Sequence, residues 1–130
     1  MRILEIGNFS VDFTTESDWA WTWEKLGHEV IKLQENGTTT DEIWKQAQNG
    51  VDLVHYIHTH SWQTPGSFSI EELLKRLKLI GIPTIGIHLD YWRGLDREKD
   101  VGVHPWWKCE YIFTADGGSH EWYREKGINH

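Results

Sequence analysis

The chain alternates short apolar runs with longer amphipathic segments, which is the pattern of strands and helices in succession. Five runs rich in β-branched and aromatic residues, each bounded by turn-forming residues, predict strands. They cover residues 2–7, 29–33, 51–57, 82–88 and 110–115. The fourth run, IPTIGIH, is apolar over nearly its whole length, as expected for a strand buried on both faces of a parallel sheet.

Helical periodicity and helix-capping residues fill the intervals between these strands. Thr15 and Asp18 match a capping box, and the helix that they open carries Trp19, Trp23 and Leu26 on one face. The other predicted helices cover residues 40–48, 69–80 and 119–126. The helix at 69–80 has the strongest apolar face, and Ser69 with Glu72 forms its capping box.

The resulting order is β-α-β-α-β-α-β-loop-β-α, and strands joined through helices in this way lie parallel, with right-handed crossovers. The predicted fold is therefore α/β, a Rossmann-like doubly wound parallel sheet of about five strands with helices on both faces. Residues 1–130 are expected to form one such domain. Residues 91–108 carry no predicted element except a short helical turn begun at Pro105. Residues 127–130 look like the entry to a sixth strand, which suggests a piece of a longer protein.

Composition and charge narrow the class of protein. The net charge is -7 and the basic residues are scattered, so binding to a nucleic-acid backbone is not expected. The single cysteine, Cys109, excludes an internal disulfide and a thiolate zinc site, and it favours a reducing compartment. No segment is long and apolar enough for a signal peptide or a membrane span, so a cytoplasmic location is expected.

Tryptophan is unusually abundant, with nine residues in this short chain. One small core is not expected to hold them all, because each buried indole needs a partner for its N–H. Trp62, Trp92 and the pair Trp106 and Trp107 are candidates for stacking on sugar rings. The alternative is that they pack in the interior, against a partner domain or in a homo-oligomer.

Ligands of open parallel sheets bind beyond the carboxyl ends of the strands, near the point where the strand order reverses. His88 and Asp90 are the predicted catalytic pair, because an imidazole donates to sugar or phosphate oxygens and a carboxylate acts as a base. The alternative for His88 is a strand-end histidine that is bonded to a neighbouring loop. The predicted substrate-binding residues are Asn8, Phe9, Ser10, His58, His60, Trp62, Trp92, Arg93 and Asp116.

Metal and dinucleotide sites are not expected. His58 and His60 point the same way on an extended chain, but His55 points opposite to His58, and catalytic zinc needs three converging ligands. A histidine-dependent metalloenzyme is therefore only a third hypothesis. The first turn reads GNFSVD rather than GxGxxG, and no Walker motif is present, so no cofactor is expected.

The order of these segments resembles the N-terminal, acceptor-side domain of GT-B-fold glycosyltransferases, particularly the retaining, family-4-like group. The resemblance rests on GHEV at 27–30, VDLVH at 51–55, GIPT at 81–84 with His88 and Asp90 after it, YIFTAD at 111–116 and KGI at 126–128. In that family a histidine at the end of the fourth strand reaches the donor sugar, which implies this role for His88. The family's acid directly follows the histidine, whereas Leu89 separates His88 from Asp90 here.

The resemblance implies a two-lobed enzyme that transfers a sugar from a nucleotide-sugar donor to an unknown acceptor, generally without a bound metal. This chain would be its acceptor-side half, inactive without a C-terminal lobe that binds the donor. Residues 8–17 replace the glycine-rich first loop of the family. The alternative is a non-catalytic binding or assembly module with an aromatic-rich interface, because fold alone does not decide function.

Overall fold

A computed structural model describes residues 1–58 and 62–130 of the chain. At its centre is a parallel sheet of five strands in the order β2-β1-β3-β4-β5. The strands are β1 Arg2–Gly7, β2 Glu29–Gln34, β3 Leu53–His58, β4 Thr84–His88 and β5 Tyr111–Thr114. The helices are α1 Thr15–Lys25, α2 Thr40–Gln48, α3 Ile70–Leu79 and α4 His120–Glu125. The predicted α/β, Rossmann-like parallel sheet is confirmed.

The two faces of the sheet bury different side chains because successive strand residues point to opposite sides. Leu4 and Val54 join the main core, which α2 and α3 cover. Glu5 and His55 point to the other side, called here the α1 face, where Trp23 of α1 contacts the His55 ring. Right-handed crossovers place α1 and α2 on opposite faces of the sheet. The reason is that the connection from β1 to β2 runs towards one edge of the sheet, whereas the connection from β2 to β3 runs in the opposite direction.

Helix termini follow the local sequence, with small shifts. Ser69 caps α3 as predicted and accepts a hydrogen bond from the Glu72 backbone N–H. The capping box at Thr15 is wrong, because the extended residue that caps α1 is Thr14, whose side chain accepts from the Ser17 backbone N–H. The helix ends at Lys25, so Leu26 is 63% exposed and does not share the buried helix face as predicted.

The connection from β4 to β5 folds back over the main core. It contains two short 3-10 helices, Asp96–Asp100 and Pro105–Lys108, of which the second confirms the turn predicted at Pro105. Trp106 and Trp107 of the second one are buried in the core. They occupy the interior position that was the alternative to sugar stacking.

The remaining differences concern strand and sheet edges. Strands β3 and β4 each begin two residues later than predicted, and Pro83 precedes β4 with its carbonyl accepting from the Val54 N–H. At the outer edge, the Ile112 N–H donates to the Asn129 carbonyl at 2.8 Å, so the backbone there lies beside β5. None of the helices in the described ranges is long and apolar enough to cross a membrane.

Candidate functional site

A polar depression lies at the carboxyl edge of the sheet, where β1 is flanked by β2 and β3. The strand order reverses at this point, so it is the position at which open α/β sheets bind ligands. The depression has a volume of about 320 Å³ and is called the β1 crevice below. Its lining residues are Asn8, Ser10, Gln34, Glu35, Asn36 and Trp62.

One wall of the β1 crevice is held together by hydrogen bonds between the ends of β1 and β2. The Phe9 backbone N–H donates to Gln34 Oε1 at 2.8 Å, and Gln34 Nε2 donates to Asn8 Oδ1 at 3.4 Å. Asn8 Oδ1 also accepts from the Ser10 hydroxyl at 2.7 Å and from the Ser10 N–H. These bonds fix the amide groups of Asn8 and Gln34 in one geometry before any ligand binds.

Trp62, which follows β3 in the chain, also lines the β1 crevice. Its carbonyl oxygen lies 2.9 Å from His104 Nε2, so the backbone is tied to the interior. Its side chain is 43% exposed, whereas Glu35 at the crevice is buried. An indole beside amide, hydroxyl and carboxylate groups suits a sugar, because the ring packs on C–H groups and the polar atoms pair with hydroxyls.

His88 lies in the interior and not at an open strand end. Its ring has no exposed surface and stacks on Trp107, with ring centroids 3.5 Å apart. Its Nδ1 lies 2.9 Å from His58 Nδ1. Burial, with His58 and His104 nearby, lowers the pKa of His88 to about 2. In this structure the ring therefore faces Trp107 and His58, as in the alternative of a histidine bonded to a neighbour, and a role towards a ligand stays a prediction.

Trp92 shares this interior position. It is 8% exposed and meets Trp107 edge-on, with centroids 5.1 Å apart, while His58 stacks beside it at 6.2 Å. The fold-back of the β4–β5 connection explains the burial. The described conformation gives Trp92 no open face for a sugar ring, so its predicted stacking role has no geometric support.

Asp116 is occupied by structural hydrogen bonds. Its Oδ2 accepts from the backbone N–H groups of Trp92 at 2.9 Å and Arg93 at 3.3 Å, and from the Tyr123 hydroxyl. Asp116 is also buried. Its carboxylate therefore fastens the segment after β4 to α4, and its predicted contact with a substrate stays a prediction.

Asp90 and Arg93 lie on the surface beyond β4. Asp90 forms an ion pair of 2.5 Å with Arg97, and Arg93 Nη1 donates to the Ser119 hydroxyl at 3.4 Å. Within the described ranges, neither residue lines the β1 crevice. The predicted catalytic pair is thus divided between the interior and the surface. The roles themselves stay predictions.

The prediction that ligands bind beyond the carboxyl ends of the strands identified only part of the β1 crevice. Among the predicted substrate-binding residues, Asn8, Ser10 and Trp62 line it, and Phe9 supports it through its backbone N–H. His58 packs against the rings of His88 and Trp92, and His60 lies outside the described residues. Sequence reasoning missed Gln34, Glu35 and Asn36, although the same rule applied to the end of β2 identifies them.

No metal cluster occurs in the described part of the chain, where no group of three His, Cys, Asp or Glu residues is placed to hold an ion. His55 and His58 point to opposite faces of β3, as the strand alternation requires.

Compared with known proteins, the chain matches no family model and no curated protein.

Proposed function

We propose that this chain is the acceptor-side domain of a GT-B-type glycosyltransferase, and that the β1 crevice holds the sugar of the acceptor. The observation that carries the proposal is the composition of the crevice at the strand-order reversal. Amide, hydroxyl and carboxyl groups line the crevice together with Trp62, which is 43% exposed. This combination matches the alternation of hydroxyl groups and C–H faces on a pyranose ring.

The charge of the crevice favours an acceptor over a nucleotide-sugar donor. Its lining includes the carboxyl group of Glu35 and, in the described residues, neither lysine nor arginine. A diphosphate requires cationic groups or a helix N-terminus, so this lining does not suit it. A neutral sugar avoids the repulsion. The nucleotide-sugar donor would then contact another part of the enzyme, as the family resemblance implies.

The predicted catalytic residues enter this proposal in different ways. His88 acts as a positioning residue, because its buried Nδ1 holds His58 at the end of β3. Asp90 is exposed just after the end of β4 and is paired with Arg97. A carboxylate there becomes available to a substrate only if the ion pair opens, which exposed ion pairs do at little cost.

Saturation-transfer NMR with a panel of neutral methyl glycosides tests the proposal on this chain. We expect binding at millimolar concentration, weakened about tenfold in Trp62→Ala because the stacking surface is lost. Trp21→Ala is the matched control, since Trp21 is a 59% exposed tryptophan on α1 outside the crevice lining. Failure of every glycoside to bind, or equal losses in both variants, would contradict the proposal.

Transfer is tested separately from binding. A longer protein that contains this chain should release nucleoside diphosphate from a nucleotide sugar, and Trp62→Ala should raise the KM for the acceptor more than it lowers kcat. Glycoside binding without any release of nucleoside diphosphate would favour the non-catalytic binding module.

A further inference from the structure

The α1 face of the sheet contacts α1 along β2, and Trp19 and Trp23 of α1 reach His55 of β3. Towards β4 and β5 it forms a concave pocket of about 430 Å³, called here the α1-face pocket. Most of its lining is apolar, and Phe113 on its rim is 55% exposed. Its lining includes Trp19, Trp23, His55, Ile85, Ile87 and Phe113. Its volume lies in the range of small-molecule sites.

The polar residues of this lining are His55, His88 and Thr114. The His88 ring stacks on Trp107 and the Thr114 hydroxyl meets His130, both on the main-core side of the sheet. The polar side chain on the α1 face is therefore the imidazole of His55, which is 1% exposed. Trp19 and Trp23 meet the ring edge-on, at centroid distances of 5.5 Å and 6.0 Å. Two groups approach its Nδ1, namely the Trp23 indole nitrogen at 3.4 Å and Glu5 Oε2 at 3.8 Å. The ring is therefore held from one side, and its Nε2 lies on the other side.

The partners of Nδ1 decide where the His55 proton lies. An indole N–H only donates, so Nδ1 accepts from Trp23 and the neutral ring carries its proton on Nε2. If the ring is instead cationic and pairs with Glu5, Nε2 carries a proton as well. In the other neutral tautomer, the proton on Nδ1 would point at the Trp23 indole N–H, and two donors would face each other. The contact with the Trp23 indole therefore favours an N–H at Nε2 of His55.

This N–H lacks an acceptor within residues 1–58 and 62–130. A buried donor without an acceptor is unfavourable, because it has lost its bond to water. Purely apolar cover, such as the apolar face of a helix, would exclude water and leave the donor unsatisfied. The geometry therefore calls for an occupant that is apolar over most of its surface and carries one acceptor.

The charge behind His55 restricts the occupant further. Glu5 on β1 and Glu16 in the first turn of α1 are both buried, with 0% and 2% of their surfaces exposed. Glu5 Oε2 lies 3.8 Å from His55 Nδ1, and a buried carboxyl group there disfavours an anionic ligand, because there is little water to screen the repulsion. A cation would offer donors where an acceptor is needed. A neutral ligand satisfies both conditions.

We propose that the α1-face pocket is a second ligand site, which binds a small, neutral, flat apolar molecule through a carbonyl oxygen that accepts from His55 Nε2. The ligand lies between the Trp19 and Trp23 rings and the apolar side chains of β4 and β5. This site lies on the α1 face and is independent of the sugar crevice. Its existence does not depend on the proposed transferase activity.

Two probes of nearly equal shape test the hydrogen bond directly. 2-Acetonaphthone carries a carbonyl oxygen, and 2-isopropenylnaphthalene has a CH2 group in its place. We expect the ketone to bind the wild-type chain about tenfold more tightly, measured by the shifts of the Trp19 and Trp23 indole N–H signals in NMR titrations. Equal affinities would overturn the role of His55, and absence of binding by both probes would overturn the site.

Variants separate the hydrogen bond from the apolar surface. His55→Leu should remove the preference for the ketone, whereas His55→Gln, which keeps an N–H donor, should retain part of it. Ile85→Trp should fill the pocket and abolish binding of both probes. Leu79→Trp is the matched control, because Leu79 is 85% exposed on α3 and lies outside the pocket lining.

The wild-type comparison needs no substitution, so it decides the proposal even if the His55 variants fail to fold. Sedimentation equilibrium covers the other occupant of an apolar face, a second copy of this chain. Dimerisation that Ile85→Asp abolishes, with neither probe competing for the face, would overturn the small-molecule site. A monomeric wild type that binds the ketone selectively would support it.

Discussion

His58 and His88 lie at the ends of neighbouring strands with their Nδ1 atoms 2.9 Å apart. Two imidazole nitrogens at this distance share one proton, so at least one of the rings accepts and is neutral at that nitrogen. His88 is the ring without any exposed surface, and burial lowers its pKa to about 2. Burial of His88, together with its contact with His58, therefore makes the interior of the domain sensitive to acid.

The first prediction concerns this sensitivity. The pKa of His88 is lower in the folded chain than its usual 6.5, so the unfolded chain binds the proton first as the pH falls. The contribution of neutral His88 to the free energy of unfolding is then fully present above about pH 6.5. Below that pH the free energy of unfolding falls by up to about 1.4 kcal/mol per pH unit. His88→Phe, which can still stack on Trp107, should flatten this slope in urea unfolding followed from neutral pH to about pH 4.

His120→Gln is the control for that measurement, because His120 is an exposed histidine on α4. It should keep the wild-type slope. If His88→Phe keeps the wild-type slope as well, His88 is not the group responsible.

The second prediction concerns Glu5, whose pKa is raised by burial and partly lowered again by His55. The folded chain therefore binds more protons than the unfolded chain above pH 4.5, and stability falls as the pH rises from 4.5 through the raised folded pKa. Glu5→Gln removes this penalty. We expect it to raise the melting temperature at neutral pH by a few degrees.

Glu121→Gln is the control for Glu5→Gln, because both substitutions change the net charge by the same amount. Glu121 is exposed on α4. Its melting temperature should match that of the wild type. A melting temperature of Glu5→Gln below the wild-type value would mean that the charged pair with His55 outweighs burial.

The third prediction tests the packing of the β4–β5 connection against the sheet. A Cβ atom on Gly86 would lie 2.8 Å from Ile112 Cδ1 and 3.3 Å from the Trp106 carbonyl oxygen. Gly86→Ala should therefore destabilise the domain by about 1–3 kcal/mol through overpacking, measured by chemical denaturation. Gly117→Ala, where a Cβ meets no atom within 4 Å among the described residues, should have little effect.

The fourth prediction distinguishes the two aspartates that follow β4 and β5. Asp116→Ala leaves the Trp92 and Arg93 N–H groups and the Tyr123 hydroxyl without their acceptor, so we expect a loss of about 2–4 kcal/mol. Asp90→Ala breaks only an exposed ion pair and should cost less than about 1 kcal/mol. Thermal unfolding measures both. Similar losses would show that Asp116 does not fasten the segment.

The local sequence was sufficient for the order of elements and for several of their ends. The Ser69 side chain caps α3 through a bond to Glu72 three residues away, and the apolar run of β4 marks a central strand. Helix caps and apolar runs involve residues that are close together in the chain, so they can be recognised in the sequence itself. They also placed Asn8 and Trp62 at the correct edge of the sheet, because every parallel strand ends there.

Tertiary structure alone decided which of the strand-end residues are accessible. His88 is covered by Trp107, and Asp116 is bonded to the backbone at Trp92, because the β4–β5 connection folds back over the core. Gln34 joins Asn8 through a contact between two strands that lie far apart in the chain. Burial and long-range hydrogen bonds depend on chain segments brought together only by folding, and no local periodicity encodes them.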